Sequence, residues 1–167
     1  MAPESSVRQL LSASPQATEA LGAALAGLAR PGLVVALDGE LGAGKTCFVR
    51  GFARGLGVVD AVSSPSFTLM HEYPGRLTLY HLDAWMQERG EAFLEDGGTE
   101  WLRTDGVAIV EWAERIAAWL PDERLSIRLS HVGLEVRRIE VDGGTCPVAL
   151  REALAALPLP EGLTEAS

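Results

Sequence analysis

The sequence predicts one α/β domain whose central sheet is mainly parallel, with antiparallel additions and helices on both faces. Three observations carry that reading. Two short runs, LVVALDG (33–39) and GVAIVEW (106–112), are apolar without alternation, as strands buried on both faces are. The first leads through a glycine cluster into KTCFVRGFARGL, which puts Phe48, Val49, Phe52 and Leu56 on one helical face and ends at Gly57. Two later segments, LSIRLS (125–130) and LEVRRIEVD (134–142), alternate cleanly and read as an antiparallel pair.

The remaining elements follow in order. Residues 15–30 place Leu21, Leu25 and Leu28 at helical spacing before a stop at Pro31-Gly32. Residues 62–85 flank Pro74-Gly75 and read as a β-hairpin, and 87–103 as short helices. AERIAAWL is a short helix stopped by Pro121, and 147–157 a closing helix with proline near its first turn. At 167 residues and 47% hydrophobic, the chain suits a single domain over 1–157. The tail 158–167, PLPEGLTEAS, is expected to be disordered.

A net charge of −9 and a pI near 4.8 exclude a broad basic face for nucleic acid. Cys47 and Cys146 give neither a disulfide framework nor metal-ligand spacing. No apolar run reaches the ~18 residues of a membrane span, and the first residues lack the basic start and apolar stretch of a leader. A cytoplasmic protein is expected. Of 14 basic side chains, only Lys45 is lysine.

That lysine lies in Gly39-Glu40-Leu41-Gly42-Ala43-Gly44-Lys45-Thr46, a full match to G-x-x-x-x-G-K-[ST]. With this composition the four fixed positions match by chance roughly once in a thousand such sequences. The match also falls between a buried strand and a helix, where its chemistry requires it. Glycines let consecutive backbone N–H groups curl around a phosphate, and the helix N-terminus faces the same anion. Lys45 would bridge phosphate oxygens and the Thr46 hydroxyl would ligate Mg²⁺. These features predict a single-domain P-loop NTPase that binds a nucleotide with Mg²⁺.

Such a site needs an acidic group at a neighbouring strand end. Glu111 closes the run 107–110 in that position, and Trp112 beside it could pack on a nucleotide. Alternation puts His81 and Asp83 on one face. Asp83 could orient or deprotonate the attacking water or hold Mg²⁺ through water, and it equally fits a plain surface carboxylate. Ser64-Pro65-Ser66-Phe67-Thr68 fits a phosphate-sensing switch or a simple Ser/Thr-rich turn. Guanine reading by N-K-x-D needs a second lysine, so adenine is expected by elimination. Arg103 and Arg115 are too isolated in sequence to suggest a kinase lid.

GELGAGKT, SPSFTL, HLD and IVEWAE, in this order and spacing from about Ser14 to Val141, resemble the TsaE (YjeE) family. The resemblance implies a Mg²⁺-dependent ATPase required for threonylcarbamoyladenosine modification of tRNA, weak alone. Hydrolysis would reset a complex with a paralogous sugar-kinase-like pair of TsaB and TsaD type; no membrane and no stable independent tRNA binding are implied. It also implies residue roles. Thr46 and Glu111 are the metal ligands, residues 39–46 with Cys47 the phosphate cradle, Asp83 a required acid, and Trp112 a neighbour of the site. Ser14 and Thr18 approach the adenine and Glu114 lines the nucleotide. Lys45, Asp83 and Glu111 are thus the expected catalytic set. Where the family has H-x-D-L-Y-R, this chain has His81-Leu82-Asp83-Ala84-Trp85-Met86, without the tyrosine and arginine. A small-molecule kinase and a nucleotide-sensing regulatory protein with negligible turnover are the alternatives.

Overall fold

The two non-alternating runs form the middle of the sheet. The computed structural model describes residues 6–65, 68–103 and 105–167. Its strands are β1 (Val7–Ser12), β2 (Val34–Gly39), β3 (Met70–Tyr73), β4 (Leu79–Asp83), β5 (Val107–Glu111), β6 (Leu125–His131), β7 (Arg137–Asp142) and β8 (Leu163–Glu165). They make one eight-stranded sheet in the order β3-β4-β5-β2-β6-β7-β1-β8. β2 pairs in parallel with β5 and β6, and β4 in parallel with β5. The other pairings are antiparallel. The sheet is therefore mixed rather than mainly parallel: the parallel part is the central block β4-β5-β2-β6.

Alternation within β2 and β5 splits the core in two. Val35, Leu37, Val107 and Ile109 pack under α1 (Pro15–Ala26) and α2 (Lys45–Gly55). Val34, Ala36, Ala108 and Val110 pack under α3 (Gln87–Glu95) and two 3-10 segments, Gly98–Arg103 and Ala113–Trp119. α4 (Val148–Ala156) adds Leu154 to the α1–α2 side. Helices thus cover both faces, as expected. The first helix stops at Ala26, before Pro31-Gly32, and the hairpin's first strand begins only at Met70.

α1 and α2 meet backbone to backbone. A methyl on Gly55 would lie 2.6 Å from the Ala23 carbonyl oxygen, and one on Gly22 or Gly51 closer still to the facing helix. The N-terminus of α1 is capped by Ser14, whose hydroxyl accepts from Ala17 N–H.

The tail corrects an expectation: residues 163–165 form β8 against β1 rather than a disordered end. Leu163 enters the core, Ala13 N–H donates to Gly162 O (2.9 Å), and Ala166 N–H to Gln9 O (2.7 Å). Polar composition hid one buried leucine and a backbone ladder. β1 was likewise not anticipated, because its apolar residues are few and it follows a polar start. Ending the chain after Leu159 is expected to cost about 2–3 kcal/mol, the scale of one buried leucine with its ladder. A urea-unfolding midpoint equal to that of the full chain would show that β8 contributes nothing.

Candidate functional site

The C-terminal ends of the parallel strands bring the chemistry together, as open α/β sheets do. β2 runs into the loop 39–44, which opens α2 at Lys45. Gly42 and Gly44 have φ of +78° and +105°, backbone that favours glycine. Gly39 approaches β6 so closely that a methyl there would lie 2.6 Å from Leu129 O. The β6–β7 hairpin supports the loop from behind: Arg137 donates to Gly42 O (3.4 Å), and His131 N–H to Glu40 Oε1 (3.4 Å). Among the described residues, no side chain caps the N-terminus of α2. Its first-turn N–H groups and the left-handed glycines make a cradle suited to an anion.

Lys45 is only 7% exposed. Its ammonium donates to Gly39 O and to Glu40 O (3.1 Å), and lies 4.0 Å from the centre of the Trp112 ring. Burial pulls its pKa below the ordinary lysine value, opposed by the negative charges of Glu111, Asp83 and Asp38.

Asp83 and Glu111 are register partners on adjacent parallel strands, at their last residues. Both are buried. Glu111 Oε2 lies 2.5 Å from His81 Nε2, so the shared face of His81 and Asp83 places the imidazole against Glu111. Asp83 Oδ2 accepts from the Ser64 hydroxyl (3.0 Å), and Oδ1 from Trp85 N–H (2.8 Å). Asp83 is thereby a buried, doubly bonded carboxylate rather than a surface one, and it ties β4 to Ser64. Of the expected switch, Ser66 and Phe67 lie outside the described residues. Pro65 O accepts from Thr68 N–H (3.2 Å) and Leu69 N–H (2.8 Å).

These groups surround a cleft of about 670 Å³ lined by Leu41, Gly42, Gly44, Lys45, Thr46, Cys47, Ser64, Asp83, Glu111 and Trp112, with Arg50, Trp85 and Met86. Cys47 donates its thiol hydrogen to Pro15 O (3.1 Å), and burial raises its pKa, so it is a poor nucleophile. Three expected nucleotide contacts are engaged elsewhere. Ser14 caps α1, and the buried Thr18 hydroxyl bonds Ser12 (2.8 Å). Glu114 lines a separate polar hollow, its N–H donating to Asp38 Oδ1 (2.9 Å). None of the three lines the cleft.

Two features were missed in sequence. The His81–Glu111 contact spans 30 residues, and no spacing rule reaches that far. Arg115, set aside as isolated, stacks on two tryptophans at the rim: its guanidinium carbon lies 4.6 Å from the Trp85 ring centre and 4.7 Å from that of Trp112. The three-residue spacing of Trp112 and Arg115 was the available signal.

Comparison with known proteins places the chain in a family. The family model "Threonylcarbamoyl adenosine biosynthesis protein TsaE" matches residues 12–139. The tRNA threonylcarbamoyladenosine biosynthesis protein TsaE of Treponema pallidum is 44% identical over 119 residues, 71% of this chain and 88% of that protein. Its counterpart from Bacillus subtilis is 44% identical over 127 residues, 75% and 79%. A crystal structure of Bacillus subtilis YdiB superposes with a TM-score of 0.72 at 36% identity, over 89% of this chain and 95% of that one. Among the described residues, no helix is long and apolar enough to cross a membrane. The matched span contains the glycine loop, the paired acids and the tryptophan beside them, and on that ground the chain belongs to the TsaE family, whose members serve tRNA threonylcarbamoyladenosine biosynthesis.

Proposed function

We propose that this chain is a Mg²⁺-dependent P-loop ATPase of the cytoplasm that acts in threonylcarbamoyladenosine modification of tRNA. One observation carries the reading. A glycine loop with a buried, partly desolvated lysine faces two carboxylates paired at adjacent parallel strand ends. That set suits a nucleoside triphosphate better than any neutral ligand. The loop cradle, with two left-handed glycines and α2 donors that no side chain among the described residues caps, fits a chain of phosphates.

The donor set also fits Mg²⁺. Among the described residues, no three His, Cys, Asp or Glu side chains form a metal cage. Mg²⁺ needs only one or two protein oxygens when a triphosphate supplies others. Thr46 and Glu111 would hold it, and the ion would neutralise charge on the phosphate oxygens. Glu111 has one oxygen committed to His81, which fixes the carboxylate's orientation while Glu111 still lines the cleft.

The chain's own residues then do three things. Lys45 exchanges loop carbonyls for phosphate oxygens, offsetting their charge from a position only 7% exposed. Asp83, held through both oxygens, orients the attacking water. Release of the cleaved phosphate changes what Asp83 faces, and its bond to Ser64 carries that change into residues 63–65. The natural receivers are the TsaB- and TsaD-type pair, a complex that hydrolysis would reset between rounds. A chain of net charge −9 need not grip tRNA itself. Adenine remains the expected base, with Ser14, Thr18 and Glu114 reaching it only if they leave their present bonds.

The test is release of free phosphate from ATP with Mg²⁺, by the chain alone and with those partners and tRNA. Asp83→Ala is expected to lower kcat about a hundredfold with nucleotide affinity retained. Phosphate appearing on a small acceptor would favour a kinase. No turnover even in the full complex would leave a nucleotide-sensing protein.

A further inference from the structure

Beyond the paired acids, the two strand exits are joined by aromatic and cationic side chains that the mechanism above does not use. Two residues after Asp83 comes Trp85, and directly after Glu111 comes Trp112. Their rings meet edge to face, with centres 4.7 Å apart and planes at 61°. Arg115 faces both rings, and one of its N–H groups donates to the Trp85 carbonyl. On its other contact Trp112 carries the Lys45 ammonium at 4.0 Å. One indole thus serves two cations, one from the phosphate loop and one from the rim.

Trp112 is also held in an unusual backbone state, with φ of 57° and ψ of 36°. For a bulky aromatic residue this left-handed conformation is unfavourable and persists only where surroundings impose it. The surroundings here are the Trp112 N–H bond to Leu37 O (3.0 Å), Trp85, Arg115 and Lys45. Trp85 is still 41% exposed, so burial alone does not fix the pair.

We propose that Arg115 is a positioning residue for the triphosphate site: by stacking on Trp85 and Trp112 it locks the β4 and β5 exits together and thereby holds Lys45 and Asp83 in place. This rests on the nucleotide-binding reading above. Two paths follow from the contacts. Through Trp112, Arg115 holds the ring against which the Lys45 ammonium sits. Through the Trp85 carbonyl and ring it fixes residue 85, whose own N–H, on the preceding peptide, bonds Asp83 Oδ1, and Asp83 in turn bonds Ser64. The phosphate-loop cation and the Ser64 loop are therefore joined through one guanidinium. A planar guanidinium can lie on two rings and donate in its plane at once; an ammonium cannot do all three.

The experiment compares wild type with Arg115→Gln and Arg115→Lys in a Trp101→Phe, Trp119→Phe background, leaving Trp85 and Trp112 as the only indoles. Two readouts are taken: the circular-dichroism couplet of the coupled indoles in nucleotide-free protein, and affinity for a fluorescent ATP analogue with Mg²⁺. Urea unfolding monitors the fold. Arg115→Gln is expected to lose the couplet and bind about tenfold more weakly, with the unfolding midpoint retained. Arg115→Lys should recover part of the affinity and little of the couplet. A couplet and affinity both unchanged in Arg115→Gln overturn the proposal. So does loss of affinity with the couplet intact, which would make Arg115 a direct ligand contact, or loss of the couplet alone, which would make the stack ornamental to binding. If the wild-type background binds no nucleotide, the ATPase reading falls, and the couplet still reports whether Arg115 orders the two rings.

Discussion

Lys45→Ala is expected to lower kcat/KM for ATP hydrolysis by about a hundred- to a thousandfold, the range seen when one preorganised charge donor is removed from a developing anion. Its surroundings explain why the loss should be specific. The ammonium sits between two loop carbonyls and an indole, 7% exposed, and burial lowers its pKa. A base whose folded pKa is depressed binds protons less well when folded, so its charged form costs stability at neutral pH, and that cost is relieved only as pH rises through the alkaline range. Removing Lys45 should therefore leave the urea midpoint equal to or above that of wild type while activity collapses. Lys45→Arg should not rescue, because a planar fork does not fit a space shaped for a compact ammonium. Steady-state phosphate release and urea melts on the same preparations test both halves. Activity within threefold of wild type in Lys45→Ala would remove the lysine from the chemistry.

The largest expected effect on stability is remote from the chemistry. Gly51→Val should destabilise the fold by about 4 kcal/mol or more. A side chain there would drive into the backbone of Glu19 on α1, and the listener on the other side is a helix, not a flexible side chain that could swing away. Relief requires moving α1 off α2, which opens a gap under Leu21, Leu25, Phe48 and Phe52, all core residues. Gly57→Ala, with open space around its β-position and only the strain of a positive φ, serves as the comparison and should cost about 1 kcal/mol. Equal midpoints for the two variants would show that the helices part easily.

The sequence made the central block and the glycine loop readable because both rest on local rules. A non-alternating run marks a strand covered on both sides, and G-x-x-x-x-G-K-T names its own backbone geometry. Glu111 was legible for the same reason, closing such a run, whereas Asp83 was reached only through alternation in a hairpin strand, which left its burial open. What stayed hidden was set by long-range pairing. β1 and β8 are recognisable only once they lie beside each other, since neither is apolar enough to announce itself. The His81 partner of Glu111 and the stack on Arg115 depend on β4 and β5 being neighbours, which no stretch of either strand reveals. Ser14 and Thr18 show what the likeness in position did not convey: local hydrogen bonding uses Ser14 as a helix cap and pairs Thr18 with Ser12.

The flush seam between α1 and α2 bears on where motion can go. Where glycine meets backbone there is no side chain to compress, so at those points the two helices have little compliance toward each other. A displacement of the glycine loop at the head of α2 would be carried to α1 through that seam, and from α1 to β1. Strain from the proposed hydrolysis would find little give there. It is left to the opposite flank, residues 57–65, which carry neither helix nor strand and which Asp83 grips through Ser64. A stiff back and a yielding front would give the molecule one direction in which to signal.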